Sequence, residues 1–358
     1  MATIDVLLPV KNGVDFLAES LDSVLAQTHR DWRLLVLDHG STDGSREMAE
    51  RYHEKDARVE LHSFPDADGL SGLLNKGLEI SDCRYVMRHD ADDICYPRRM
   101  EISLAAFESH PECMAIGGQA DVIDAQGAPI GDMKMPIGGK RVGAASLFRN
   151  PIAHPTAMLD FAEVQKAGIR YGVDFLKLFP EEHRMTVKNL AEDYYLFGQL
   201  GIQGKCNNVP EKLIKYRWHG NNVSAKRFDE QMTVSLQVSR YLAHAFSLMH
   251  DVKYFDPAPF CNHGGLLFDI DGRSDFSPEF ERMAASLREG FDYAPEIERE
   301  LAFRKLATTR NDVSLLWRYF FFQSGNAPET GEWNAVRSWL IRRFPGKPRM
   351  SAPAEVPA

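Results

Sequence analysis

Ile4–Leu8, Leu34–Leu37, Val59–His62 and Tyr85–Met87 are short runs rich in apolar residues, each bounded by turn signals. Runs of this length read as buried strands and are too short for buried helices. Between the first two, Leu17, Leu21, Val24 and Leu25 recur at helical spacing from Phe16 to Gln27. Pro9 stops the first strand and Asn12-Gly13 turns the chain. Before the fourth run, a loop with Pro65 and Gly69 leads into a short helix carrying Asn75-Lys76-Gly77. Strands alternating with helices at this spacing predict an α/β fold with a mostly parallel sheet flanked by helices. Polar loops after the first, second and fourth strands then share one sheet edge, where open α/β sheets hold ligands.

The fourth strand runs into Asp90-Ala91-Asp92-Asp93. Three carboxylates this close repel unless something positive sits among them. A hard divalent cation, which prefers oxygen ligands, is the natural partner; a solvated acidic turn is the plain alternative. After the second strand, Asp38-His39-Gly40-Ser41-Thr42-Asp43-Gly44-Ser45 is a polar loop leading into a helix that Ser41 or Asp43 can cap. The amino terminus of such a helix suits a phosphate.

Pro97 opens the helix that closes this half, and Met114–Gly117 begins a second, with turns at Asp124–Gly127 and Gly138-Gly139. His154-Pro155 precedes a strand at Thr156–Leu159. Glu192-Asp193 opens a helix through Leu196, Phe197 and Leu200, stopped at Gly201. Strand-like Leu213–Tyr216 leads into Arg217-Trp218-His219-Gly220-Asn221-Asn222-Val223-Ser224. Beyond Lys226 the pattern turns helical, broken at Pro257–Pro259 and Gly264-Gly265. The expected organisation is a domain over 1–225, in halves 1–112 and 113–225, then a helical region over 226–345 and a frayed tail over 346–358.

A net charge of −9 argues against a general nucleic-acid binder. Five scattered cysteines, with no C-x-x-C pair, point to a reducing compartment and away from a disulfide framework or zinc site. Met1-Ala2-Thr3 leads straight into a strand, with no signal peptide, and no stretch approaches the roughly 18 apolar residues of a membrane span. The expectation is a cytoplasmic protein.

In order, Leu8-Pro9-Val10-Lys11-Asn12, Asp38–Ser45, Asn75-Lys76-Gly77, Asp90-Ala91-Asp92-Asp93, Ala191-Glu192-Asp193-Tyr194 and Tyr216–Ser224 resemble the motifs of family 2 glycosyltransferases of the GT-A fold. The similarity covers roughly residues 4–224. It implies a GT-A, Rossmann-like sheet with a helical C-terminal extension, and transfer of a sugar from a nucleotide diphosphate sugar, a UDP-sugar first. It gives Pro9, Val10, Asn12, Asp38, His39, Asn75, Lys76, Asp90 and Ala91 to the nucleotide sugar. Asp92 would bind Mn²⁺ or Mg²⁺, which neutralises the leaving diphosphate. A ligand from His219 would favour Mn²⁺; a loop histidine bonded to backbone is the alternative.

By the same resemblance Asp193 is the general base, with Glu192 supporting the acceptor, although two acids at a helix start also serve as caps. One base without a carboxylate nucleophile implies inversion. His154 and Trp218 are the acceptor-binding candidates, and loops 131–155 and 170–190 the expected acceptor pocket. Lys76 either approaches a phosphate or is simply solvated.

Two departures matter. His39 stands where the family usually carries a second aspartate, and the Q-x-x-R-W segment and membrane spans of its processive synthases are missing. The acceptor implied is a glycan or a lipid-linked saccharide of bacterial cell-surface polysaccharide assembly. In the tail, Trp333, Val336, Leu340, Ile341 and Phe344 fall at helical spacing among Arg337, Arg342, Arg343, Lys347 and Arg349. That stripe suits either a peripheral contact with the inner face of the plasma membrane or packing on the enzyme or on the second subunit of a homodimer. The competing functions are a sugar-phosphate nucleotidyltransferase, which would need a glycine-rich loop after the first strand, and an inactive nucleotide-sugar-binding module.

Overall fold

A computed structural model describes residues 3–219, 227–262 and 274–341. Strand β1 (Ile4–Val10) is buried at every position. It pairs in parallel with β2 (Trp32–Asp38) on one side and β4 (Tyr85–Arg88) on the other, while β3 (Val59–Ser63) pairs in parallel with β2. The crossovers are α1 (Val14–Leu25), α2 (Ser45–Lys55) and α3 (Gly69–Ile80). Pro9 does not end β1. The Leu7 carbonyl accepts from His89 N, so Leu7 and Pro9 both face β4. The β4 pairing stops at Leu7–Arg88, and the missing proline N–H leaves no ladder bond unmade.

Past β4 come β5 (Ile94–Cys95), α4 (Arg99–Ser109), β6 (Ala115–Ile123), β7 (Pro129–Met133), α5 (Gly139–Ser146), β8 (Met158–Asp160), α6 (Phe161–Lys166), α7 (Glu192–Ile202) and β9 (Cys206–Arg217). The sheet order is β3-β2-β1-β4-β8-β6-β9-β5, with β7 paired to β6. Strand β8 is antiparallel to both β4 and β6, and β9 is parallel to β6. Two reversals restore the direction, so β9 ends at the same edge as β1, β2 and β4. The fold is the mixed α/β, GT-A-like sheet flanked by helices.

Both sheet faces are covered, because alternate residues of β1 enter different cores. Val6 and Leu8 pack with Val36 and Met87 against α1 and α4, and Leu7 packs with Leu37 against Leu74 and Leu78 of α3. A third core lies among α8 (Phe228–His250), α9 (Ser277–Gly290), α10 (Glu298–Lys305), α11 (Asp312–Gly325) and α12 (Glu332–Ile341). Of the terminal stripe, Val336 is buried there and Leu340 packs against the same core, while Trp333 is half exposed. Phe344, the basic residues Arg342, Arg343, Lys347 and Arg349, Gly264-Gly265 and Gly220–Ser224 lie outside the described residues. Among the described residues no helix is long and apolar enough to cross a membrane, and all five cysteines are buried and unbridged.

Gly201 does not stop α7, which runs on to Ile202. It is the contact point of α7 with α5. A Cβ there would meet Ser146 Oγ at 2.0 Å and Ser146 Cβ at 3.1 Å, and Gly143 on the facing helix already lies 2.7 Å, as a built Cβ, from the Gly201 carbonyl. Overpacking of this kind costs about 1–3 kcal/mol. Gly201→Ala is therefore expected to lower the unfolding free energy by about that amount in urea titrations. Ser146→Ala in the same chain should return part of it, and wild-type stability of the single variant would contradict the contact.

Candidate active site

The β1 and β2 loops are tied together by short polar bonds. His39 N donates to the Val10 carbonyl at 2.9 Å, and Asn12, in a left-handed conformation, accepts from Thr42 N at 2.8 Å. The buried Asp38 carboxylate accepts from Ser41 N at 3.0 Å and Gly40 N at 3.3 Å. His39 is pinned through Nε2 to the Ala67 carbonyl at 3.0 Å. Asp43, rather than Ser41, serves the start of α2. One of its oxygens accepts from Ser45 N and the other from Val14 N, each at 3.0 Å, which locks α2 to α1.

Asp90, Asp92 and Asp93 bring one carboxylate oxygen each within 4.8 Å of one another. Two features hold them. Arg88, buried at the end of β4, forms an ion pair with Asp90 and donates to the His89 carbonyl. Strand β5 then pairs antiparallel with β9 and delivers the end of β9 to the acids. Arg217 N donates to Asp93 Oδ1 at 2.8 Å, its Nε donates to the Asp92 carbonyl at 2.9 Å, and its guanidinium also pairs with Glu19. Two residues on, His219 Nε2 sits 2.8 Å from Asp92 Oδ2, its ring against Phe16 at 5.1 Å. His89 itself faces away, boxed by Ser20, Cys95 and Arg99, and burial holds it well below the usual imidazole range.

Burial raises the Asp90 carboxyl, against Arg88, and pushes Asp93 well above the carboxylate range, helped by Asp90 and Asp92. Asp93 Oδ2 is buried without a hydrogen-bond partner. A crowded set of carboxylate oxygens, one of them orphaned, with an imidazole at its rim, fits a Mn²⁺- or Mg²⁺-sized cation. Asp92 and His219 are the residues that would hold it.

The second acidic pair opens α7. Leu190 and Ala191 before it both take left-handed backbone, with φ of 66° and 59°, which turns the chain sharply into the helix. Asp193 Oδ1 accepts from Tyr194 N at 2.8 Å, and Oδ2 accepts from Asn150 Nδ2 at 2.7 Å, with His154 Nδ1 3.9 Å away. Burial raises Asp193. Burial and then Asp193 push the nearly enclosed Glu192 up to about 7. His154, held neutral by burial, contacts the Tyr171 hydroxyl at 3.1 Å. Asn75 grips the Tyr171 backbone at both amide ends, at 2.9 and 3.1 Å, whereas Lys76 is exposed and pairs with Glu79.

Beside Asp193 lies a cavity of about 210 Å³. Its walls include Phe148 and Asn150 from the expected 131–155 stretch, and also Gln231, Met232 and Ser235 of α8. No residue of 170–190 lines it. Trp218 is 44% exposed on the β9 side, its N–H bonded to the Ile123 carbonyl, and is not among the lining residues. Arg88, Asn150 and Arg217 escaped sequence reading. An arginine closing an otherwise apolar four-residue strand was the available signal for the first; Asn150 carried none.

Between pH 4.5 and about 7 the folded chain holds a proton on Glu192 that the unfolded chain has released. Stability therefore falls as pH rises through that window. Glu192→Gln should flatten this slope: near wild-type stability at pH 5, and a gain on the order of 2 kcal/mol at pH 8. Parallel wild-type and variant curves in denaturant titrations at the two pH values would contradict a buried, proton-holding Glu192.

Residues 5–157 match the family model described as Glycosyl transferase family 2. The chain is 29% identical over 245 residues to an uncharacterized glycosyltransferase of Haemophilus influenzae, covering 66% of this chain and 72% of that protein. It is 33% identical over 90 residues to a Bacillus subtilis protein, TuaG, named for teichuronic acid biosynthesis, covering 25% of this chain and 36% of TuaG. Among solved structures, S. aureus TarS 1–349, crystallised with UDP-GlcNAc, superposes over 97% of this chain and 93% of its own at a TM-score of 0.54 and 15% identity, a likeness of fold. The motif order, the sheet and these relatives converge: over residues 5–157 this chain is similar to the family 2 glycosyltransferases, and the relatives it matches along two thirds of its length are named as glycosyltransferases.

Proposed function

We propose that the enzyme is metal-dependent and inverting, and that it moves a sugar from a nucleoside diphosphate sugar, a UDP-sugar first, to a hydroxyl of a glycan or lipid-linked acceptor. The observation that carries this reading is the presence of two acidic sets, Asp90–Asp93 and Glu192-Asp193, that feel the charge of one buried arginine, Arg88. The nucleoside lies along Pro9, Val10 and Asn12, over Asp38 and His39, with Asp90 and Ala91 toward the ribose and sugar. Asn75 acts through Tyr171, which supports His154. Asp92 and His219 would hold the cation, whose positive charge would make the diphosphate a better leaving group.

Asp193 takes the acceptor proton while that oxygen attacks the anomeric carbon from the face opposite the diphosphate. The new carbon–oxygen bond forms as the bond to phosphate breaks, and the electron pair leaves with the diphosphate. Asn150 aims the base, and the cavity walled by Gln231, Met232 and Ser235 receives the acceptor. A single base with no carboxylate nucleophile on the other face gives inversion. The similarity to TuaG favours cell-surface polysaccharide assembly, on the cytoplasmic side where nucleotide sugars are supplied.

Asp193→Asn is expected to bind the donor almost normally and to transfer about 10²–10⁴-fold more slowly. Asp92→Asn should lose Mn²⁺-dependent donor binding altogether. A screen of UDP-, dTDP- and GDP-sugars with Mn²⁺, reading thermal shift and donor turnover, checks both. Release of nucleoside diphosphate supports the reading. Release of pyrophosphate would indicate nucleotidyl transfer instead, and full activity of the Asp193 variant would remove the base.

A further inference from the structure

Helix α11 is apolar on two opposite sides, with Ser314 and Arg318 exposed between them. Leu315, Tyr319 and Phe322 are buried against the helical core. On the opposite side Val313, Trp317, Phe320 and Phe321 are 66, 73, 60 and 78% exposed, at positions i, i+4, i+7 and i+8. Trp333 of α12, half exposed, lies beside them, its ring 5.9 Å from that of Tyr319. A contiguous exposed aromatic patch marks an interaction surface.

The charges beside the patch identify what covers it. The only charged residue among the exposed positions of α11 is Arg318, and the only one among those of α12 is Arg337. Residues 342–349 follow directly and carry Arg342, Arg343, Lys347 and Arg349 with no acid. This is a local excess of positive charge on a chain of net charge −9. Aromatic side chains flanked by basic residues are the composition that settles into the headgroup layer of an anionic bilayer, to a depth of about 5–10 Å. Two copies meeting through the same face would instead bring their arginines into one apolar contact.

We propose that the exposed face of α11, with Trp333, docks the enzyme on an anionic phospholipid surface, with Trp317, Phe320 and Phe321 entering the interface and Arg318 and Arg337 meeting the headgroups. Of the terminal stripe this contact uses only the half-exposed Trp333, since Val336 is buried, and it does not depend on the assignment of base or metal. The enzyme would then be held beside a lipid-linked acceptor while α11 stays outside the catalytic sheet.

The test is flotation of the full-length protein with vesicles of phosphatidylcholine with and without phosphatidylglycerol. The expected result is that most of the protein floats with the anionic vesicles and little with the neutral ones. Flotation should fall at least tenfold in a Trp317→Ser, Phe320→Ser, Phe321→Ser variant that keeps its donor turnover and circular dichroism. Brominated lipids should quench tryptophan emission in the wild type and quench it less in Trp317→Phe, which keeps an aromatic ring and should still float. Failure to float on anionic vesicles, or flotation unchanged by the triple substitution, overturns the proposal. A concentration-dependent dimer abolished by the same substitutions, without vesicle binding, would assign the face to a second copy.

Discussion

Five carboxylates share one end of this sheet, with the buried arginines Arg88 and Arg217 set against them. At 4 Å, like charges in a protein interior repel by about 4 kcal/mol at an effective dielectric of 20, enough to hold protons on some of the acids or to demand a cation. Both responses are visible. Arg88 opposes the rise of Asp90 and Glu192, while Asp93 and Glu192 are driven upward by burial and by their acidic neighbours. The donor-side loops and the start of α7 are therefore parts of one electrostatic unit, although about a hundred residues separate them in the chain. Burial and the neighbouring Asp193 push Glu192 up, and Arg88 at the end of β4 opposes them.

What the sequence made legible was local. The burial of β1, β2 and β4, the loops that follow them and the acid pair opening α7 are periodicity and capping signals contained within a few residues. The illegible part was made by pairings between distant segments. Strand β5 is two residues long, too short to leave a pattern, yet its pairing with β9 puts Arg217 against the aspartates; His219 beside Asp92 was expected only through the family resemblance. Asn150 looks like any loop asparagine until α7 arrives beside it. Gly201 reads as a stop signal and is instead a close approach between helices, because a missing Cβ serves both purposes. Pro9 likewise signals a strand end only if the side it faces carries a partner.

The helical half contributes structure to the site as well as length to the chain. Glu329 is paired with Arg141, Arg149 and Arg299, and Glu332 with Arg299 at 2.8 Å. Arg149 adjoins Asn150, and Thr330 bonds to Lys134 N at 2.7 Å and to Arg149 at 2.8 Å. Removing one partner from a buried ionic network leaves an uncompensated charge, which costs about 3–5 kcal/mol. The segment before α12 is thus clamped to Arg149, the chain neighbour of the Asn150 that bonds Asp193, and α8 supplies a wall of the cavity.

Leu190 and Ala191 impose a different kind of condition. Two successive left-handed residues with side chains cost about 1–2 kcal/mol each, and glycine would relieve that cost, offset in part by a looser unfolded chain. Glycine would also let the entry to α7 pivot, and with it the acids whose positions the turn fixes. A lineage selected for heat tolerance and one selected for turnover would therefore be drawn to opposite solutions at these two positions.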